Sequence, residues 1–126
     1  MIRLDRTTRI LQAILAGAKT TNDAQCVVGF YDVPTRAKND FSEYAGATNV
    51  QDTNGGTVVT ICAAPPDVGI VRNIDFISVH NYDSAAITVT VQIYNSTGTV
   101  TTRLHKDTLN AGQTLTWSRG GIWQVL

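Results

Sequence analysis

Asp75, Ser78 and His80 bring the three side-chain types of a hydrolytic triad into one short apolar stretch. If this stretch is a strand, Ser78 and His80 point to the same face, because successive side chains alternate between faces. Nucleophilic catalysis also requires a base that activates the serine and a third group that orients the base. Any strand with a polar face has this spacing, and no neighbouring residue identifies an activated serine. We therefore interpret His80 as a structural histidine and predict that the protein is not an enzyme.

Acidic residues offer two further kinds of chemistry. Asp40 and Glu43 are carboxylates of the type that flanks a glycosidic bond in glycoside hydrolases, but we favour a solvated loop for them. Asp52-Thr53-Asn54-Gly55 has the residue types that begin a calcium-binding loop. No glutamate follows to close a twelve-residue cage, so we interpret these four residues as a turn.

The two cysteines, Cys26 and Cys62, each lie in an apolar run. This setting favours two buried side chains that behave as small hydrophobic residues. A disulfide between neighbouring strands remains an alternative that the spacing does not decide. His80 and His105 add two more potential zinc ligands, but no pair among the four residues has the spacing of a zinc site. We predict no metal and no cofactor.

Arginine and aromatic side chains are the candidates for contacts with other proteins, because both types are enriched at interfaces. Three arginines lie near the N-terminus, two aromatic residues lie in a long polar segment, and one aromatic residue lies on the polar side of a strand. These interaction candidates are Arg3, Arg6, Arg9, Phe41, Tyr44 and Tyr94. Trp117 and Trp123 flank the last predicted turn, and we expect them to pack against each other across it.

The stretch from Ile70 to Leu104 predicts three successive strands that must position these residues. Its middle part alternates strictly, with Ile87, Val89, Val91 and Ile93 on one side and polar residues on the other. This alternation is typical of a half-buried strand. A turn at Asn95-Ser96-Thr97-Gly98 leads into a further strand, with Val100 and Leu104 expected on the buried side. The apolar phase slips between Phe76 and Ile77, which predicts a bulge or a strand buried on both faces.

The chain of 126 residues suits one domain. Seven or eight short strands separated by turn signals predict an all-β fold, a single antiparallel β-sandwich of jelly-roll or Greek-key type. We expect a polar N-terminal arm at residues 1–8 and the sandwich domain at residues 9–126, with an irregular loop at 35–56. Residues 9–18 fit either a strand or a short helix, and residues 105–112 predict a polar connection.

The charge balance narrows the range of partners. Ten basic and ten acidic residues give a formal net charge of zero, which argues against a dedicated nucleic-acid-binding protein. No segment approaches the roughly eighteen apolar residues that a membrane-spanning helix needs. Only 16% of the residues are charged, and a weakly charged, threonine-rich surface protects poorly against association. We therefore expect part of the surface to be covered by neighbouring proteins.

Three segments resemble small structural proteins of tailed-phage virions. The first runs from Leu11 through Thr20-Thr21-Asn22 into Gln25-Cys26-Val27-Val28, as a strand, a turn and a second strand. The second, from Val71 to Val91, has a strand, the turn Asn81-Tyr82-Asp83 and a strand of alternating threonine and valine. The third is Leu109-Asn110-Ala111-Gly112-Gln113-Thr114-Leu115. The resemblance covers most of the chain apart from residues 35–56.

This resemblance implies a non-enzymatic virion protein, and capsid decoration (cement) is the role that we place first. Such proteins are small β-sandwiches that bind the assembled shell as dimers or trimers. The implied partners are the major capsid protein or other virion proteins, and the implied location is the virion, assembled in the host cytoplasm. We expect the arm and the loop at 35–56 to make these contacts. Two alternatives remain: a tail, head-fibre or receptor-binding module that contacts host glycans through residues such as Tyr94, and a small hydrolase that uses His80 or the loop carboxylates.

Overall fold

The structure is a computed structural model that describes residues 1–35 and 46–126. Asp40, Phe41, Glu43 and Tyr44, which the sequence offered as candidates, lie outside the described residues. The described residues form ten strands in chain order: β1 (Ile2–Leu4), β2 (Arg9–Leu15), β3 (Gln25–Pro34), β4 (Ala47–Asp52), β5 (Val59–Cys62), β6 (Ile70–His80), β7 (Ile87–Asn95), β8 (Val100–Leu109), β9 (Thr114–Ser118) and β10 (Gln124–Val125).

The strands form two antiparallel sheets, as the sequence predicts. The larger sheet has the order β10-β9-β6-β3-β4, with β1 also paired to β6, and the smaller sheet has the order β5-β2-β7-β8. Strands that are distant in sequence lie side by side in both sheets, since β6 pairs with β3 and β7 pairs with β2. Among the described residues, no helix has the length and apolar character needed to cross a membrane.

Apolar side chains from the facing surfaces of the two sheets form the core. Val89 and Val91 of β7 are fully buried, as their alternation predicts. Leu11 and Ala13 are also fully buried and Leu15 nearly so, which settles residues 9–15 as a strand. Burying one such leucine or valine side chain contributes about 1.5–3 kcal/mol, so these positions dominate the stability of the sandwich.

Two bulges explain where the alternation slips. The register between β3 and β6 shifts so that Gly29 pairs with Phe76 and Phe30 pairs with Ile74, which leaves Asp75 as the extra residue. This confirms the bulge that the phase change in β6 predicts, one residue earlier. The register between β7 and β8 also shifts once, so that Leu104 is an extra residue with no partner in β7. Val100 was expected in the core, but it is 53% exposed at the start of β8, beside the turn that follows β7.

The N-terminal segment differs from the polar arm that the sequence predicts. Residues 2–4 form β1, whose Ile2 pairs with Ile74 and whose Leu4 pairs with Arg72. Ile2 is 9% exposed and Leu4 is fully buried, while Arg3 between them points to solvent. Because this alternation covers only three residues and stands among charged neighbours, it did not predict a strand. Deleting the segment therefore removes part of the core, so a deletion does not test whether it binds a partner.

Two other segments expected to be irregular also contain strand. Residues 47–52 of the predicted loop form β4, which pairs with β3 over its whole length. Its side chains are mostly polar and exposed, so the sequence carries no apolar alternation there. The predicted polar connection at 105–112 is strand as far as Leu109, because β8 continues along β7 after its bulge.

Candidate functional site

A buried aspartate joins the first long turn of the chain to the turn between β6 and β7. The carboxylate of Asp83, which is 3% exposed, accepts hydrogen bonds from the backbone N–H groups of Thr20 and Thr21, each at 2.7 Å. It also accepts one from the hydroxyl group of Thr21 at 2.8 Å. These donors, led by the N–H of Thr20, hold the pKa of Asp83 well below its usual range.

Asn81 links the segment from Leu109 to Leu115 to the same corner. Its side-chain amide donates to the carbonyl oxygens of Ala85 and Leu109 at 2.9 and 3.0 Å, and its side-chain oxygen accepts from the N–H of Asp83 at 2.8 Å. Its backbone carbonyl accepts from the N–H of Gly112 at 3.0 Å. Asn81 is fully buried, and its amide oxygen and nitrogen both have partners. The turn at Thr20-Thr21-Asn22, the turn at Asn81-Tyr82-Asp83 and the segment from Leu109 to Leu115 therefore meet at one polar corner.

His80 and Asp75, which were considered for catalysis, contact different residues. The Nδ1 atom of His80 lies 2.7 Å from the hydroxyl oxygen of Thr114, and its ring packs edge-on against Tyr82. Asp75 lies instead in the bulge beside Arg119, 3.6 Å from its Nε. Among the residues that the structure describes, no three His, Cys, Asp or Glu side chains are grouped to hold a metal ion.

Both cysteines are buried and free, so no disulfide joins them. Burial raises the pKa of the Cys26 thiol to about 12 and that of Cys62 to about 11. This agrees with the interpretation of both as small core residues.

Arg72 closes one end of the sandwich. Its guanidinium makes two hydrogen bonds to the carboxylate of Asp32, at 2.8 and 2.9 Å, and donates to the carbonyl oxygen of Ala63 at 3.0 Å. It also stacks on the ring of Phe30, 4.1 Å from the ring centre. The hydrogen bonds to Asp32 raise the pKa of Arg72 above its usual value. The planar fork of arginine suits this contact better than a lysine would.

The aromatic residues near the C-terminus close one side of the sandwich. The rings of Trp117 and Trp123 lie 6.1 Å apart, which confirms the predicted packing across the turn. His105 of β8 stacks on Trp123 with a centre-to-centre distance of 4.7 Å. The sequence did not predict this contact, because it joins edge strands of different sheets. On the opposite side, the Asn49 side chain donates to the carbonyl oxygen of Ile61 at 2.7 Å and links β4 to β5.

The solvent-facing surface of the larger sheet, here called the outer face, carries several apolar side chains. Alternation and register place apolar side chains from three adjacent strands on it: Val27, Tyr31, Val33, Val50 and Phe76. Val50 is 56% exposed and Phe76 is 36% exposed. The exposed face of an antiparallel sheet is normally polar. The solvent-facing side of the smaller sheet mixes polar residues such as Gln12, Gln92 and Thr90 with the part-buried Ile10, Ile14 and Tyr94.

Glycine at position 29 lets the Phe76 ring lie flat on the outer face. A Cβ atom at Gly29 would stand 2.2 Å from Cε1 of Phe76, so any side chain there would displace the ring. Next to the ring, a groove of about 540 Å³ runs between β6, β9 and the last turn, with Thr116, Ser118 and Ile122 in its walls. Ile122 is 73% exposed at the rim. The outer face thus has an apolar groove beside β9 and a further depression at each end of its strands.

The predicted interaction residues do not form one cluster. Arg3 lies on the outer face opposite Asn73, and Arg9 is engaged by Asp5 at the start of β2. Arg6 lines a depression of about 290 Å³ at the end of the sandwich. Tyr94 lies on the solvent-facing side of the smaller sheet, paired with Ile10. Phe41 and Tyr44 lie outside the described residues.

Comparison with models of protein families, with curated protein sequences and with solved structures finds no match to this chain.

Proposed function

We propose that this protein is a structural component of a tailed-phage particle, a decoration protein that binds and stabilises the assembled head. The observation that carries the proposal is the apolar outer face of the larger sheet. A contiguous apolar surface on a stable domain marks a site of association with another protein. A structural protein of the particle acts through the area and shape of its contact surface rather than through reactive groups. The outer face provides such a surface.

The polar corner supports the proposal in a second way. The resemblance to phage virion proteins rests on the Thr-Thr-Asn turn, the Asn81-Tyr82-Asp83 turn and the segment from Leu109 to Leu115. The side chains of Asp83 and Asn81 connect these three segments. The resemblance therefore concerns residues that build the framework of the fold, and such residues carry more weight than shared surface turns.

The end of the sandwich that carries Arg6 is the surface that we assign to the head. Three connections meet there and form a shallow depression lined by Arg6, Val68 and Thr97. Val68 is 82% exposed, and an exposed apolar side chain beside an arginine is a common composition for an interface anchor.

Co-sedimentation of the purified protein with assembled heads that lack it tests this assignment. We expect saturable binding by the wild-type protein and at least tenfold weaker binding by Arg6→Glu, because a reversed charge opposes the same contact. Arg103→Glu is the matched control, since Arg103 is an exposed arginine on the smaller sheet. Equal loss in both variants, or no binding of the wild type to heads, would contradict the proposal.

A further inference from the structure

The distribution of charge on the outer face points to what covers it. Its central positions are uncharged and come from four neighbouring strands: Val27, Gly29, Thr48, Val50, Phe76, Ser78, Thr116 and Ser118. In the part of the chain that the structure describes, the ion pair of Arg119 and Asp75 lies near the middle of β6, and the other charged side chains of this face lie towards the two ends of the strands. A partner must therefore present an uncharged, flat centre of its own, because an unpaired charge buried against this surface would be costly.

The two ends of the outer face carry charge of opposite sign. At one end Asp52 lies beside the ion pair of Lys19 and Asp23, which leaves a formal charge of −1 (two acids and one base). At the other end Arg3, opposite Asn73, contributes +1, while the ion pair of Arg119 and Asp75 near the middle of β6 adds no net charge. A second copy rotated by 180° about an axis that runs across the strands places the acidic end of one molecule over the basic end of the other.

We propose that the outer face binds the outer face of a second copy of this chain, about a two-fold axis that runs across the strands. In such an isologous contact the same patch serves both molecules, so a surface with a neutral centre and opposite ends complements itself. A two-fold axis parallel to the strands would instead place like charges together. This inference specifies a partner for the surface on which the proposed function rests.

The size and shape of the outer face fit this contact. Five strands at a spacing of about 4.8 Å span about 24 Å, and the longest strand at about 3.3 Å per residue spans about 36 Å. The face therefore offers at most about 860 Å², close to the roughly 800 Å² that each partner buries in a standard stable interface. Sheets stack about 10 Å apart, and the flat Phe76 ring leaves room for that distance.

Sedimentation equilibrium of the isolated protein, with no other virion component, tests the contact. We expect the wild type to dimerise with twice its 13.6 kDa mass. Val50→Lys should raise the dissociation constant at least tenfold, because Val50 is an apolar residue of the outer face and a lysine there would bury an unpaired charge in the contact. Val100→Lys is the matched control, because Val100 is 53% exposed against 56% for Val50 but lies on β8. Thermal melts of all variants check folding.

Charge reversal tests the direction of the axis. Asp52→Lys alone and Arg3→Glu alone should each weaken the dimer several-fold, because both ends then carry the same sign. The double variant should recover most of the lost affinity. A monomeric wild type, an equal effect of both valine variants, or a double variant weaker than either single one would overturn the inference.

The outcome is separable from that of the proposed function. A monomer that still binds heads would remove the inference and leave the proposed function standing. A dimer that does not bind heads would contradict the proposed function and leave the inference standing.

Discussion

The carboxylate of Asp83 accepts hydrogen bonds from the backbone N–H groups of Thr20 and Thr21, which lie more than sixty positions earlier in the chain. The two oxygens have different donors, Thr20 at Oδ2 and Thr21 at Oδ1. This contact fixes the connection between β2 and β3 against the turn between β6 and β7. It is therefore a long-range connection between the two sheets, made by one side chain.

We predict that Asp83→Asn lowers the melting temperature clearly. An amide keeps one acceptor oxygen and turns the other into a donor, so one of the backbone N–H groups is left facing an NH₂ group. Asp67→Asn is the control. The exposed Asp67 accepts a single hydrogen bond at its Oδ1, from the N–H of Gly69, and an amide oxygen can keep this bond. Scanning calorimetry compares the two variants. Equal melting temperatures in Asp83→Asn and the wild type would contradict the role assigned to Asp83.

Acid should weaken the wild-type protein through the same group. The pKa of Asp83 is lower in the folded than in the unfolded state, so its contribution is present above the unfolded value of about 3.9 and is lost as pH falls below it. We expect the free energy of unfolding, measured with urea, to fall between about pH 5 and pH 2. Asp83→Asn should show a shallower fall over that range. Parallel curves would mean that other carboxylates account for the acid sensitivity.

Arg72→Lys should destabilise the protein although the charge is kept. A lysine cannot make the two parallel bonds to Asp32 and also reach the carbonyl oxygen of Ala63. We expect a loss of about 1–3 kcal/mol in the free energy of unfolding, as for a buried group that loses charged hydrogen bonds. Arg103→Lys, on the exposed part of β8, should change stability by less than about 0.5 kcal/mol. Similar losses in both variants would show that the bidentate geometry has no special weight.

The thiols of Cys26 and Cys62 should be unreactive in the folded protein. Both are buried, and burial raises their pKa values to about 12 and about 11, so almost no thiolate is present at pH 8. A colorimetric disulfide reagent should give no signal with native protein and a signal for two thiols in denaturant. Fast reaction of the native protein would show that the core opens readily at these strands.

The strands with strict alternation were predictable, and the reason is local. Val89 and Val91 lie in a run in which every second residue faces the core, so the alternation in the sequence predicts that their side chains are buried. Val50 lies in a strand that is exposed on nearly all sides, and such a strand leaves no apolar pattern. Leu4 lies in a strand too short to establish one. Both strands exist because longer neighbours pair with them.

The candidate site was less accessible from the sequence than the fold. The apolar character of the outer face depends on which of two alternating sets of residues faces the core, and the bulge at Asp75 exchanges the sets along β6. The position of Phe76 over Gly29 joins two strands that are far apart in the chain. The contact of Asp83 with Thr20 and Thr21 is equally non-local. In contrast, the exposure of Arg3 and Arg6 followed from their charge alone.

The copy number of this protein in purified virions tests the central claim most directly. Quantitative mass spectrometry against the major capsid protein measures it. A decoration protein should be present in hundreds of copies, in a simple ratio to the capsid protein. A dozen copies or fewer would contradict a role on the head surface and favour the tail or fibre alternative. Absence from the particle would contradict the structural role altogether.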